Sequence, residues 1–240
     1  MTLTAPAPTL AERKAASGLR ITVCVTARNE ATTVAGVVAP VASALEELVD
    51  ELIVVDDCSS DGTGPIAEAF GARVVRRDAG PGKGAAMAAG VAASTGDIVV
   101  FLDADVRNFG VHYVTRLVEP LLVDPTLVMV KGTYDRPGEA GGGRVTELLA
   151  RPLLRRLFPE LTFLRQPLAG EVAVRRDALD TLVLERGYGV EIGMLLDLAG
   201  RYGPSAIAEV DLGERLHRNR PLAELAGQAD EVLEAVLARV

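Results

Sequence analysis

Short apolar runs alternate with helical patterns over the first hundred residues of the chain. Four runs predict strands, and each ends in polar or turn-forming residues: Arg20 to Thr26, Glu51 to Val55, Ala72 to Arg76 and Ile98 to Leu102. The stretches between them predict helices over 31–48, up to Phe70 and over 84–94. This alternation is typical of βαβ units in a parallel sheet, whose right-handed crossovers bring the strand ends Ala27, Asp56 and Asp103 to one edge.

The pattern changes beyond Asn108. It predicts a helix over 113–122, a strand over 127–133, a helix over 146–158 and a turn over 166–171 that leads into a short strand. From 222 onward, apolar residues recur on one helical face, which is expected to pack on the core. We therefore expect a flexible leader over 1–18 and one α/β domain over 19–240. Its parts are a nucleotide-binding-type half (19–108), a second half (109–221) and a C-terminal helix (222–240).

Composition and charge exclude several classes of protein. With 240 residues and 49% hydrophobic content, the chain can bury the core of one domain. The net charge of −8 argues against a general nucleic-acid or anionic-membrane binder. No apolar run reaches the roughly 20 residues of a membrane span, so a cytoplasmic protein is expected. Cys24 and Cys58 predict buried or incidental thiols, and the absence of G-x-G-x-x-G and of a P-loop argues against those nucleotide sites.

Two carboxylates follow the most apolar run, in the sequence D-I-V-V-F-L-D-A-D over 97–105. Residues i and i+2 of a strand point to the same side, so Asp103 and Asp105 should project together into the ligand crevice of the sheet. Hard oxygen ligands in this position favour Mg²⁺ or Mn²⁺, with substrate phosphate completing the coordination shell. The alternative is a solvated acidic turn.

Further polar segments are candidates for binding. Lys83 lies in Gly80-Pro81-Gly82-Lys83-Gly84 before a helix, which indicates either an anion site or a simple capping turn. The glycine-rich stretch 137–144 ends in Arg144 and predicts either a ligand-wrapping loop or a flexible linker. Glu191 lies in an apolar, glycine-flanked stretch and is therefore either paired or functional. His217 stands in the last polar cluster, H-R-N-R-P.

Several motifs carry a resemblance to a known family. V-V-D-D-C-S-S-D-G-T and D-A-D resemble the strand and metal motifs of family 2-type glycosyltransferases with the GT-A fold. Five later motifs, in order, resemble the glucosyl-3-phosphoglycerate synthase family: P-G-K-G, G-G-G-R-V-T-E-L, Q-P-L-A-G-E, G-Y-G-V-E-I-G and H-R-N-R-P-L. The resemblance runs from about Ile21 to the C-terminus. It implies glucose transfer from UDP-glucose to 3-phosphoglycerate with retention of configuration, which needs Mg²⁺ or Mn²⁺.

The resemblance also implies roles for individual residues. The nucleotide-sugar site would comprise Ala27, Arg28, Glu30, Asp57, Lys83, Asp103, Ala104, Ala169, Gly170 and Glu191. Asp105 and His217 would ligate the cation, and 109–221 would be the acceptor-binding half, with Arg144, Thr146 and Asn219 on a small anionic acceptor. Lys83, Asp105 and Glu191 are the expected catalytic residues. A homodimer is expected, with neither nucleic acid nor membrane as a partner.

The chain departs from the family pattern in places. The first-strand motif reads Thr26-Ala27-Arg28-Asn29-Glu30, which puts an extra charge beside the base, and Asp57-Cys58 replaces a Ser-Gly pair. The loops before Pro81 and Gly141 are shorter, which bears most on the acceptor. Three alternatives therefore stay open: the same fold with another donor or acceptor, a sugar-1-phosphate nucleotidyltransferase, and a non-catalytic binding module.

Overall fold

The computed structural model describes residues 7–45, 47–136, 143–216 and 222–240. Within these residues, seven strands form one sheet in the order β3-β2-β1-β4-β6-β5-β7. The strands are β1 (Ile21–Ala27), β2 (Glu51–Asp57), β3 (Arg73–Arg77), β4 (Ile98–Asp103), β5 (Met129–Asp135), β6 (Val172–Arg175) and β7 (Ile207–Glu214). Strand β6 runs antiparallel to β4 and β5, and the other pairings are parallel. The predicted α/β class with a mainly parallel sheet is confirmed.

Helices cover both faces of the sheet. Those of the described ranges are α1 (Leu10–Ser17), α2 (Val34–Ala42), α3 (Thr63–Ala69), α4 (Lys83–Ala93), α5 (His112–Val123), α6 (Arg151–Leu157), α7 (Arg176–Leu179), α8 (Val190–Tyr202) and α9 (Leu222–Leu237). A π-helical turn over Thr146–Ala150 precedes α6. None of these helices is long and apolar enough to cross a membrane.

The strand sequence creates two core layers. All seven residues of β1 are buried, and alternate side chains point to opposite faces of the sheet. Val23 and Val25 pack in the layer that contains α2 and α5, whereas Cys24 packs in the layer that contains α4, α8 and α9. A sheet covered on both faces explains why the first strands are almost continuously apolar.

The reversed strand β6 shapes the edge where the parallel strands end. Because β6 begins at this edge, the turn over 166–171 lies beside the ends of β4 and β5. Gly132 N donates a hydrogen bond to Glu171 O at 2.8 Å, and Ala169 N donates to Gln166 O at 3.0 Å. The sheet thus brings a tight backbone turn to its ligand edge.

Five elements differ from the sequence prediction. Helix α1 occupies part of the segment predicted as a flexible leader, because Thr9 and Glu12 form a reciprocal capping box. The helix predicted over 31–48 covers only Val34–Ala42. The helix predicted over 146–158 starts as a π-helix. Helix α8 and the edge strand β7 were not predicted; β7 carries exposed and half-exposed acidic residues that obscure its alternation.

Candidate active site

A crevice of about 930 Å³ opens where the parallel strands end. Its walls are the ends of β1, β2 and β4, the start of α4, the turn before β6, the start of the π-helix and the first half of α9. Open α/β sheets place their ligands at this edge. Helix α9 therefore has two roles, since Val232 and Val236 pack in the core while Glu224, Leu225 and Gln228 line the crevice.

An ion-paired lysine lies at the centre of the floor. The Nζ of Lys83, the first residue of α4, contacts the carboxylate of Asp103 at the end of β4 and lies 3.7 Å from Glu191 Oε1. Burial alone would lower the pKa of Lys83, but the two carboxylates outweigh it and raise that pKa. Burial raises the pKa of Glu191 even though Lys83 opposes the shift. Lys83 therefore stays charged, as an anion-binding role requires.

Arg215 joins the two aspartates of the D-A-D sequence. Its Nη2 donates to Asp103 Oδ2 at 3.0 Å and to Asp105 Oδ1 at 2.8 Å. The two carboxylates thus project together from the strand end, as predicted from their spacing. Burial would raise the pKa of Asp103, yet the charges of Lys83 and Arg215 hold it well below its usual range. Asp103 is therefore ionised, and both carboxylates are held in place by cations.

The other side of Arg215 is fully buried. Its Nη1 lies 2.9 Å from Glu171 Oε1 and donates to the hydroxyl of Tyr134 at 2.8 Å. Glu171 is 0% exposed and Arg215 is 5% exposed. Burial raises the pKa of Glu171 to about 7, although Arg215 acts to lower it. A buried ion pair of this kind holds its geometry only with further hydrogen bonds, which Tyr134 supplies in part.

The ends of β1 and β2 form the part of the crevice that is predicted to bind the nucleotide. Ala27, Arg28, Glu30 and Asp57 all line the crevice there, and Ala104 lines it beside β4. The Asp57 carboxylate is paired with Arg77 and accepts a hydrogen bond from Gly82 N at 2.8 Å. Asp57 therefore fastens the loop before Lys83, a structural task beyond the base contact predicted for it.

The turn before β6 places backbone directly against Asp103. Gly170 lines the crevice, and a Cβ built on it would lie 2.7 Å from Asp103 Oδ2. Ala169 is placed differently from the prediction: its side chain is fully buried and is not part of the crevice wall. Its carbonyl oxygen instead accepts a hydrogen bond from the fully buried Lys131 Nζ at 3.0 Å. The sequence could predict the turn but not which of its residues lines the crevice and which is buried in the core.

The remaining predicted residues fall into two groups. Arg144 and Thr146 line the crevice near the π-helix, and Thr146 is 4% exposed. His217 and Asn219 lie outside the described residues, as do most of the glycine-rich residues before Arg144. The structure thus brings Lys83, Asp103, Asp105, Glu191, Arg144 and Thr146 to one crevice.

Known proteins share this sequence and geometry. Residues 22–182 match the model of the family described as Glycosyl transferase family 2. A glucosyl-3-phosphoglycerate synthase of Mycolicibacterium paratuberculosis is 46% identical, over 98% of this chain and 77% of its own length. The chain belongs to the glucosyl-3-phosphoglycerate synthase family.

Crystal structures of the Mycobacterium tuberculosis glucosyl-3-phosphoglycerate synthase have the same fold. The complex with Mn²⁺, UDP-glucose and phosphoglyceric acid has a TM-score of 0.91 at 45% identity, covering 99% of this chain and 86% of that one. The complex with Mg²⁺ and UDP has the same TM-score and identity, with 98% and 84% coverage. The GT-A fold and the family expected from the resemblance are confirmed.

The side chains of the D-A-D sequence fit the cation of a glucosyl-3-phosphoglycerate synthase only in part. No cluster of three or more His, Cys, Asp and Glu side chains among the described residues could hold a metal by itself. Asp103 is engaged by both Lys83 and Arg215, whereas Asp105 is engaged by Arg215 alone, through Oδ1, and its side chain is 25% exposed in the crevice. One carboxylate that completes its shell with diphosphate oxygens is a donor set that suits Mg²⁺ or Mn²⁺.

Sequence reasoning missed four residues of this synthase-family site. Arg215, Tyr134, Glu171 and Arg136 connect the crevice to the core, and none was singled out. Glu171 ends the Q-P-L-A-G-E motif, and Arg215 stands two residues before His217. The signal that could have identified Glu171 and Arg215 is a charged residue inside, or shortly before, one of the family motifs. Nothing in the sequence around Tyr134 indicated that two arginines would flank its ring.

Proposed function

We propose that this protein transfers glucose from UDP-glucose to 3-phosphoglycerate in a metal-dependent reaction. The main support for this function is the series of ion pairs Lys83–Asp103–Arg215–Asp105 on the crevice floor. Fixed cations and carboxylates in this order suit a nucleotide diphosphate that binds with a divalent ion. The family relationship supports glucose, UDP and phosphoglycerate, since those ligands are named in the complexes of the M. tuberculosis relative.

The donor would lie across the ends of β1, β2 and β4. Ala27, Arg28, Glu30 and Asp57 would border the uridine, because they line that end of the crevice. Asp103 and Ala104 would face the nucleoside side of the diphosphate. Lys83, the first residue of α4, would bind the diphosphate with its charged ammonium.

The divalent cation would be held by Asp105 together with His217 and the diphosphate. When bound, it supplies Lewis-acid stabilisation of the leaving phosphate, a contribution of several kcal/mol in comparable sites. Arg215 orients Asp105 through the 2.8 Å contact between Nη2 and Oδ1. The acceptor would bind at the opposite end, on Arg144, Thr146 and Asn219.

Transfer is proposed to retain the configuration of the sugar. Glu191 lies beside Lys83 in the crevice, where it can accept hydrogen bonds from sugar hydroxyls. No base is then assigned to the acceptor, so its hydroxyl would attack on the face that the diphosphate leaves. The departing phosphate oxygen takes the proton, and Lys83 stabilises the growing negative charge. A homodimer in the cytoplasm is proposed as the functional form.

Product analysis tests this function. Incubation with UDP-glucose, 3-phosphoglycerate and Mn²⁺ or Mg²⁺ should release UDP and form an α-glycoside, visible in the anomeric proton NMR signal. Formation of UTP and glucose 1-phosphate when pyrophosphate is added to UDP-glucose would indicate a nucleotidyltransferase instead, and a β-coupled doublet would assign Glu191 as a base. A screen of other nucleotide sugars and of unphosphorylated acceptors separates the remaining alternatives.

A matched pair of variants tests the cation ligand. Asp105→Ala should lower turnover by at least about 100-fold, because the cation loses a protein ligand at the leaving phosphate. Asp230→Ala, on the exposed side of α9, should leave turnover unchanged. Both variants should unfold at temperatures close to that of the wild type. Near-normal turnover of Asp105→Ala in excess chelator contradicts the assignment.

A further inference from the structure

Arg136 lies where β5 ends and is assigned no role by the family motifs. Its side chain is half-buried and lines the crevice. The guanidinium carbon lies 4.7 Å from the centre of the Tyr134 ring, and Nη2 donates to the Tyr134 hydroxyl at 3.2 Å. Nη1 donates to Gln166 Oε1 at 3.3 Å. The planar group is thus held on three sides before any ligand binds.

The charge of Arg136 is not balanced by these contacts. Its described hydrogen-bond partners are an amide oxygen and a hydroxyl, both neutral. Within the described part of the chain, its Nε is buried and has no hydrogen-bond partner. Arg215, whose guanidinium carbon is 5.0 Å from the centre of the same ring, is matched by three carboxylates instead. A half-buried guanidinium with neutral partners is stabilised by an anionic ligand.

The backbone of Gly143 lies against Arg136. Gly143 has a φ of 87°, and a Cβ built on it would lie 2.6 Å from Arg136 Nη1. Glycine therefore permits both the left-handed conformation and this close approach. Arg144 follows directly and lines the same crevice as Arg136 and Thr146. The guanidinium of Arg136 thus lies against the backbone residue that precedes Arg144, at one end of the crevice.

We propose that Arg136 is an acceptor-binding residue that forms, with Arg144, a two-guanidinium site for an anionic group of the acceptor. The group is a phosphate or a carboxylate, since arginine binds either one through paired hydrogen bonds. Tyr134 and Gln166 orient the guanidinium, so little side-chain entropy is lost on binding. This inference rests on the proposed function and names a second residue for its acceptor.

Binding and kinetics of Arg136 variants test the site. With saturating UDP-glucose and Mn²⁺, Arg136→Met should raise the KM for 3-phosphoglycerate by about 10- to 100-fold, and Arg136→Lys by less. The KM for UDP-glucose and kcat should change by less than about twofold. Arg144→Lys should raise the same KM and leave the KM for the donor unchanged. The control is Arg165→Met, because Arg165 is 57% exposed, pairs with Asp135 and does not line the crevice.

Two shortened acceptors identify the anionic group. Glycerol 3-phosphate keeps the phosphate, and glycerate keeps the carboxylate. The acceptor whose KM responds to Arg136→Met carries the group that Arg136 binds. If neither these acceptors nor 3-phosphoglycerate responds, or if kcat alone falls, Arg136 only supports Tyr134 and the inference is overturned.

Equilibrium binding separates this inference from the proposed function. Calorimetric titration of 3-phosphoglycerate into protein with UDP and Mn²⁺ gives the acceptor Kd without turnover. If the wild type binds 3-phosphoglycerate but makes no product, and Arg136→Met weakens that binding, the proposed function is overturned and the inference stands. If the wild type makes product but Arg136→Met changes neither the KM nor the Kd for 3-phosphoglycerate, the function stands and the inference is overturned. If the wild type does not bind 3-phosphoglycerate, both the inference and the acceptor assignment are overturned.

Discussion

The proposed donor end of the crevice, around Lys83 and Asp57, and the proposed acceptor end, around Arg136 and Arg144, differ in how their charges are balanced. At the donor end, protein cations meet protein carboxylates: Lys83 with Asp103, Arg77 with Asp57, and Arg215 with Asp105. At the acceptor end, Arg136 has neutral partners among the described residues. A donor diphosphate that arrives with a divalent cation adds little net charge, so its site can be balanced beforehand. A small phosphorylated acid brings negative charge with it, and its site must hold a positive surplus.

Arg215→Met attacks the balanced end and should have the largest effect. It leaves Asp103, Asp105 and the fully buried Glu171 without their shared cation. The free energy of unfolding should fall by about 3–5 kcal/mol, the usual cost of an uncompensated buried charge. Turnover should fall by more than about 100-fold, because the carboxylates at the metal position lose their orientation. Urea denaturation and steady-state kinetics measure the two effects.

The double variant Arg215→Met with Glu171→Gln is the control. It removes the buried charge that the single change leaves behind, so its loss of stability should be smaller than that of Arg215→Met alone. Turnover should stay low, since Asp103 and Asp105 still lack the guanidinium that orients them. Equal loss of stability in both variants would contradict the importance of the buried pair.

Lys131 sharpens the comparison, because this buried cation supports the turn between the two ends. Burial lowers the pKa of Lys131 from 10.5 to about 8, while the nearby carboxylates of Glu191, Glu209 and Glu171 oppose the shift and Lys83 adds to it. The unfolded chain therefore binds the proton more tightly, so wild-type stability should rise from pH 8 to 10.5 relative to Lys131→Met. The rise should be up to about 3 kcal/mol.

The measurement is the difference in free energy of unfolding between wild type and Lys131→Met at several pH values. Taking the difference cancels the titrations that both proteins share. It should be constant below pH 8 and should grow above it. A flat difference up to pH 10 would show that Lys131 stays charged in the folded protein, and its buried ammonium would then need a carboxylate partner.

Cys58→Gly should have the smallest effect and probes backbone strain at the donor end. Cys58 follows β2 with a φ of 61°, a left-handed conformation that costs non-glycine residues about 1–2 kcal/mol. Glycine removes this cost but loses entropy on folding, so a gain of about 0.5 kcal/mol is expected. Cys58→Ala keeps the strain and loses the 3.1 Å contact from Sγ to Arg77 O, so it should be less stable than Cys58→Gly. Thermal unfolding of the three proteins ranks them.

Local pattern predicted most of the fold. The buried strands β1, β2 and β4 were found because their apolar runs are long and their ends are polar. Strand β7 was missed because its outward side chains and its edge position weaken the apolar pattern. The antiparallel direction of β6 depends on pairing with β4 and β5, which are distant in sequence. No local pattern contains that information.

The site divides in the same way. Asp103 and Asp105 could be placed from strand periodicity, and Lys83 from its glycine-rich helix start. Arg215 could not be placed from the sequence, because its role depends on ion pairs with three carboxylates that lie as far as 112 residues away in sequence. Ala169 was expected at the sugar and is instead buried, since the direction of a side chain within a tight turn follows from its tertiary contacts.

The sharing of one guanidinium by three carboxylates has a consequence for how this enzyme can diverge. Loss of Arg215 strands Asp103, Asp105 and Glu171 at once, so a donor chemistry without this arginine would require several simultaneous substitutions. Arg136 contacts neutral groups and can be exchanged without stranding a partner charge. Drift and selection can therefore explore new acceptors by single steps while the donor stays fixed.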